Sequence, residues 1–254
     1  MNITDKHAQD LDNEMLSEAE DTLSELEIMI SNMESGVEET ENGLKAISNH
    51  ARRIKSYGFS ADHPLIDLLL HRLINYAEAI QNLTDDRYAD LNTFTDVLRG
   101  LLEGRIPSNS DQSEFIRSLP VSRPVDVSDL ESLNIEIMLV EPQKISARIF
   151  ERELQSGGYR VMLCHRSFEA FELAVRTKPD AIICSYVLDE ISGVDLARAL
   201  AAVPATEKVP FSILTSYERN SPKLSLLPEN AGYIRKDENF GDDLANVLES
   251  FGLT

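Results

Sequence analysis

Between residues 135 and 250 the chain alternates short, almost purely apolar runs with amphipathic stretches, five times over. The apolar runs are 135–140, 159–164, 181–187, 211–215 and a short one around Tyr233 and Ile234. The stretches between and after them carry Ala147, Ile149, Phe150 and Leu154, then 168–176, then 194–202, and finally Leu244, Val247 and Leu248. A strand that is apolar on both faces is buried on both faces, the condition of a parallel sheet covered by helices on each side. The pattern predicts a flavodoxin-like (βα)5 doubly wound parallel sheet over 133–254. In such a sheet the functional side chains lie beyond the carboxyl ends of the strands.

Residues 1–105 read as helix. Leu16, Ala19, Leu23, Leu26, Ile30, Met33 and Val37 recur at spacings of three and four, and Leu44, Ile47, Ala51 and Ile54 continue the register. Ser35-Gly36 interrupts this stripe, with Gly suited to a helix end and Glu38, Glu39 and Glu41 to the next helix start. A second break, 58–64, ends in Pro64, with Asp62 or His63 placed to begin a helix. Leu65, Leu68, Leu69, Leu73, Ala77 and Ile80 form a third apolar face, and Leu91, Phe94, Leu98, Leu101 and Leu102 a fourth after Thr84-Asp85-Asp86. Four such segments predict an all-α, up-and-down four-helix bundle, making the chain an α+β protein of two domains. The alternative is a long parallel coiled coil through 16–57, which would make the protein a dimer. Residues 106–132, with Pro107, Pro120 and Pro124 among Ser and Asp, read as a linker.

Charge follows the same division. Residues 1–105 carry 9 basic and 21 acidic side chains, a net of −12; 106–132 carry 2 and 5, a net of −3; 133–254 carry 13 and 18, a net of −5. The total of −20 argues against nucleic acid or an anionic membrane surface as partner, since phosphate contact needs clustered Lys and Arg. No apolar run approaches the ~20 residues of a membrane span, and the N-terminus lacks the basic start and apolar stretch of a secretion signal, so a cytoplasmic protein is expected. Cys164 and Cys184 make neither a disulfide framework nor a zinc site, and are read as buried thiols beside the first strand. His7, His63 and His165 show no ligand spacing, and His71 sits among leucines as a packing or rim residue; no metal site and no cofactor are expected.

The carboxyl ends of the strands resemble those of response-regulator receiver domains. IMLVEP resembles the strand that ends in a pair of metal-binding acids. PDAIICSYVLDEISGVDL resembles the segment with the phosphoacceptor aspartate and, eight residues on, a glycine. VPFSILTS resembles the strand ending in the switch Thr or Ser, and GYIRKDEN the strand with a lysine. The resemblance places the pocket at Glu141, Ser185, Thr215 and Lys236. Two positions depart from it: Ser185 stands where the acceptor aspartate belongs, and Glu141-Pro142 leaves one acid where the family has two. A hydroxyl there neither accepts phosphoryl as a carboxylate does nor supplies charge for Mg²⁺. Lys236, with no acceptor to serve, is expected to pair with Glu141. Asp189 is a substitute acceptor on paper, four residues beyond the strand end. Asn220, Pro222 and Pro228 fall where the family has its fourth helix, which should be short or absent.

ARRIKSYG, 51–58, resembles the histidine-phosphotransfer motif, with Ala51 and Ile54 facing the core and Arg52 at the position of the reactive histidine. A guanidinium has no free nucleophilic nitrogen. His50 is the alternative nucleophile, about 200° around the helix from Arg52. The two resemblances together imply a non-catalytic adaptor of a two-component phosphorelay that binds a histidine kinase or response regulator, with His50, Arg52, Arg53 and Lys55 as its phosphotransfer-like surface and no catalytic residue. The alternatives are an active phosphotransfer protein using His50 and a coiled-coil dimeric scaffold.

Overall fold

The computed structural model describes residues 3–57, 59, 63–122, 134–237 and 240–254. The chain divides into two compact units, 1–122 and 123–254. Each is described by itself.

The first unit is helical: α1 (Ile3–Glu34), α2 (Thr40–Lys55), α3 (Pro64–Ala79), α4 (Asp85–Leu102) and the short α5 (Gln112–Ser118). The stripe from Ala19 to Met33 is buried, as are Leu44, Ile47, Ala51 and Ile54. The two halves of the stripe belong to different helices that pack on one another, α1 against α2. The coiled coil through 16–57 is therefore corrected. Gly36, at φ +73°, ends α1. The Gly36 N–H donates to Met33 O and the Val37 N–H to Asn32 O, at 3.1 and 2.8 Å, the paired bonds of a left-handed helix terminus. Val37, counted in the stripe, is 76% exposed because it lies beyond that terminus.

The second break divides α2 from α3, which begins at Pro64 with His63 as its N-cap. Gly58 and Ser60 to Asp62 lie outside the described residues. From Leu65 to Leu73 every residue of α3 is buried. A helix stretch buried all round needs neighbours all round, and α3 packs against α2, α4 and α5. The last of these corrects the linker. Within 106–132, Asp111 accepts from the Ser113 and Glu114 amides, both at 2.9 Å, and caps α5. Phe115, Ile116 and Leu119 are buried. The rest of the expected linker, 123–132, lies outside the described residues. Among the described residues no helix is long and apolar enough to cross a membrane.

The second unit is a five-stranded parallel sheet in the order β2-β1-β3-β4-β5. Its strands are β1 (Glu136–Val140), β2 (Arg160–Cys164), β3 (Ala181–Ser185), β4 (Phe211–Thr215) and β5 (Gly232–Arg235). Its helices are α6 (Lys144–Ser156), α7 (Ser167–Thr177), α8 (Gly193–Ala201) and α9 (Phe240–Ser250). The first four strands are buried at every position, and the charged residues that open β1 and β2, Glu136 and Arg160, pair with each other at 3.1 Å. One core joins Ile137, Leu139, Leu163, Leu214 and Ile234 of the sheet to Phe150 and Leu154 of α6 and Val247 and Leu248 of α9. Cys164 and Cys184 are buried and paired in register on either side of Val140. Where Asn220, Pro222 and Pro228 stand, the chain makes only the 3₁₀ turn Pro222–Leu224. Ile149 of α6 is exposed, while Ala147, Phe150 and Leu154 of the same helix are buried.

Candidate functional site

Parallel strands put all their carboxyl ends on one edge, so the residues that follow β1, β3, β4 and β5 meet there. Glu141, the first residue past β1, is 1% exposed. Its Oε1 accepts from the Gln143 N–H at 3.0 Å. Its Oε2 accepts from the Lys236 ammonium at 2.6 Å and from the Ser185 hydroxyl. Ser185 ends β3 and has no exposure. Lys236 follows β5; its N–H donates to Thr215 O at 2.9 Å, and its ammonium lies 5.5 Å from the centre of the Phe150 ring. Thr215 is brought to the same edge, but its hydroxyl accepts from the Tyr217 N–H at 3.1 Å. Two residues of this constellation were not legible in the sequence. His165 donates from Nδ1 to the Glu141 carbonyl at 2.8 Å, and Phe150 backs Lys236 from α6. Neither carries a local signal, because each is defined by a neighbour at the end of another strand.

The pocket is closed in charge. One buried carboxylate meets one ammonium, and a buried carboxylate is tolerated where it is paired and hydrogen-bonded. The next carboxylate along, Asp189, serves a different structure. Its Oδ1 accepts from the Ser167 N–H at 3.0 Å, at the start of α7. Arg166 reaches it at 3.4 Å and Glu190 at 2.6 Å. Burial opposes its ionisation, but the hydrogen bonds with Glu190 and Ser167 outweigh this and hold Asp189 well below the usual carboxylate range. Burial, together with the Glu141 charge, pushes the Cys184 thiol far up, so it stays protonated. Gly193 opens α8 eight residues after Ser185; a Cβ on it would lie 2.3 Å from the Ser185 carbonyl oxygen.

The basic residues of α2 are taken up by neighbouring helices. Arg52 pairs with Glu78 of α3, Arg53 with Glu25 of α1 at 3.3 Å, and Lys55 with Asp67 of α3 at 3.6 Å. His50 is separated from Arg52 in its partner: its Nδ1 faces Glu25 Oε2 at 3.4 Å. His71 is buried, its Nε2 3.2 Å from Asn75 Nδ2. His63 stacks edge-on against Phe59. The His7 side chain lies outside the described residues.

Residues 137–247 match the profile of the response regulator receiver domain. Residues 137–247 are a receiver domain of the two-component type. Among curated proteins, the response regulator MprA of Mycobacterium ulcerans is 24% identical over 99 residues, 39% of this chain and 42% of that protein. The polar-differentiation response regulator DivK of Brucella anthropi is 25% identical over 81 residues, 32% of this chain and 66% of that protein. The chain thus spans about two fifths of the length of the first of these relatives. Among solved structures, the receiver domain of a Pseudomonas aeruginosa sensor histidine kinase is 26% identical. It covers 46% of this chain and 98% of its own, with a TM-score of 0.43.

That kinase receiver was solved with magnesium in its cleft. The residues at the strand ends of this chain can be weighed as donors to a divalent ion on their own chemistry. A Mg²⁺ site draws on carboxylates and substrate oxygens in near-octahedral array. Here Glu141 is the carboxylate at the strand ends, both its oxygens already accept hydrogen bonds, and Lys236 holds a positive charge against it. Pro142 and Ser185 add no anionic oxygen. These residues do not fit a divalent cation.

Proposed function

We propose that the chain is a non-catalytic adaptor of a two-component phosphorelay, acting by protein–protein binding without phosphorylation at the usual acceptor position. The reading joins a pseudo-receiver to a phosphotransfer-like four-helix bundle, both without an acceptor. Its partners are a histidine kinase or a response regulator. The observation that carries it is the capture of Glu141 by Ser185 and Lys236: the groups that would otherwise address metal and phosphoryl satisfy one another. Arg52 at the histidine position of the phosphotransfer-like motif supports the same conclusion for the helical unit, since it is paired and non-nucleophilic.

A second reading rests on His50. Its Nδ1 faces Glu25 Oε2 at 3.4 Å, so the ring nitrogen left to act as phosphoryl acceptor is Nε2. One experiment separates the two. The purified protein is incubated with Mg²⁺ and either acetyl phosphate or a phosphorylated histidine kinase, with an active receiver labelled in parallel. Intact mass is read under conditions that preserve labile phosphate. The adaptor reading expects no adduct. An adduct that disappears in His50→Ala makes the chain a working phosphotransfer protein, and one that disappears in Asp189→Asn places the acceptor in the β3–α8 loop.

A further inference from the structure

The missing fourth helix leaves something in its place. Tyr186 directly follows β3 and Tyr217 lies two residues past β4. Their rings meet edge to face, 84° apart in plane and 5.0 Å between centres. Both residues are fixed to the sheet edge through their backbones. The Tyr186 N–H donates to Leu214 O at 2.9 Å, and its carbonyl accepts from Gly193 at 2.8 Å. The Tyr217 N–H donates to the Thr215 hydroxyl at 3.1 Å, and its carbonyl accepts from the Tyr233 hydroxyl at 2.8 Å. This aromatic corner is filled from outside by Lys223 of the 3₁₀ turn. The ammonium stands 4.1 Å from the centre of the Tyr217 ring and donates to the Tyr217 hydroxyl at 2.5 Å.

The two sides of this contact differ in kind. The tyrosines sit on a rigid scaffold, whereas Lys223 is exposed and reaches the corner on a four-carbon stem. A tyrosine face attracts an ammonium through its ring quadrupole, whichever molecule brings the ammonium. A chain of net charge −20 also raises the concentration of cations at its surface. We propose that the Tyr186–Tyr217 corner is a recognition site for an alkylammonium group, of the kind a lysine side chain of a basic protein partner presents, with Lys223 as its built-in competitor. The site lies beside the Glu141 pocket, since Tyr186 follows Ser185 and the Tyr217 N–H donates to the Thr215 hydroxyl, but it presents aromatic faces where that pocket presents a carboxylate.

The test uses the full chain and tetramethylammonium chloride as probe, with sodium chloride at equal ionic strength as control. The readout is the ring resonances of Tyr186 and Tyr217 by NMR. In Lys223→Ser the probe should shift both rings saturably, with sodium causing no such shift. The affinity should exceed that of the unsubstituted chain roughly two- to fivefold, the competition an exposed cation–π contact supports. Tyr217→Phe keeps the ring and should keep the binding, while Tyr217→Leu should lose it with the amide spectrum otherwise preserved. Equal affinity with and without Lys223, or no saturable shift beyond the sodium control, overturns the proposal. So does loss of binding in Tyr217→Phe, which would assign the ion to the hydroxyl instead of the aromatic face.

Discussion

Glu141 is the residue on which the pocket turns, because a carboxylate that buried is tolerated only through its partners. Lys236→Met removes the ammonium while keeping most of the stem. The variant should lose about 2–3 kcal/mol of stability in urea unfolding, below the full value for a buried pair because Lys236 is partly exposed. Glu141→Leu with Lys236→Met removes both charges, and should recover most of that loss. A double variant as unstable as the single would mean that the ion pair, not the stranded charge, supplies the stability. Ser185→Asp alone should remain unlabelled by acetyl phosphate and Mg²⁺, since position 142 still offers no acid; metal-dependent labelling of it would count against the adaptor reading. The Glu141–Lys236 pairing was legible in advance because the resemblance to receiver domains sets both residues at one pocket just beyond the strand ends. The Ser167 anchor of Asp189 was not, because it depends on a loop conformation that no periodicity encodes.

The helices of the first unit show why a short element escapes a reading based on repeats. α5 has seven residues and sits between prolines, so composition marks it as linker. The signal for it lies elsewhere, in the leucine-rich run of α3 from Leu65 to Leu73, which is buried at every position and packs against α5 as well as α2 and α4. Ile116, 1% exposed, is part of that cover. Ile116→Ala should cost the first unit about 2–4 kcal/mol, the range for emptying a buried aliphatic site, whereas a true linker residue would change stability by less than about 0.5 kcal/mol. α3 is also tied to α4, where the Tyr76 hydroxyl donates to Asp90 at 2.7 Å. Burial first, and then the Asp90 carboxylate, raise the Tyr76 pKa well above its ordinary value. The neutral phenol is thus favoured in the folded state. Its stabilisation is complete below the unfolded value near pH 10 and is lost progressively as pH rises above it. Tyr76→Phe should flatten that alkaline decline in far-ultraviolet circular dichroism; an unchanged slope would place the alkaline sensitivity elsewhere. In the second unit, Gly193→Ala should destabilise α8 and the sheet by about 2 kcal/mol or more, since the obstructing atom is a backbone carbonyl that has no rotamer to escape into.

The net charge of −20 makes cations stabilising in general, because any added salt relieves repulsion across an acidic surface. This general effect has to be separated from binding at the strand ends. A specific ion bound only by the folded state adds about 2.7 kcal/mol at a hundredfold excess over its dissociation constant. For a domain of the second unit's size that is a rise in Tm of roughly 10 °C. The receiver pocket here is neutral as it stands, with Glu141 and Lys236 cancelling, so it presents no deficit of positive charge for a divalent ion to fill. The expected result is a melting curve in MgCl₂ that superimposes on one in NaCl of equal ionic strength, both shifted upward together from low salt. A rise specific to Mg²⁺ that survives Ser185→Ala but vanishes in Glu141→Gln would place an ion against Glu141, and would require Lys236 to move aside for it. The same comparison made on Lys236→Met tests the argument from the other side. With the ammonium gone, Glu141 is left with neutral donors, and any affinity for Mg²⁺ that the strand ends retain should emerge there first.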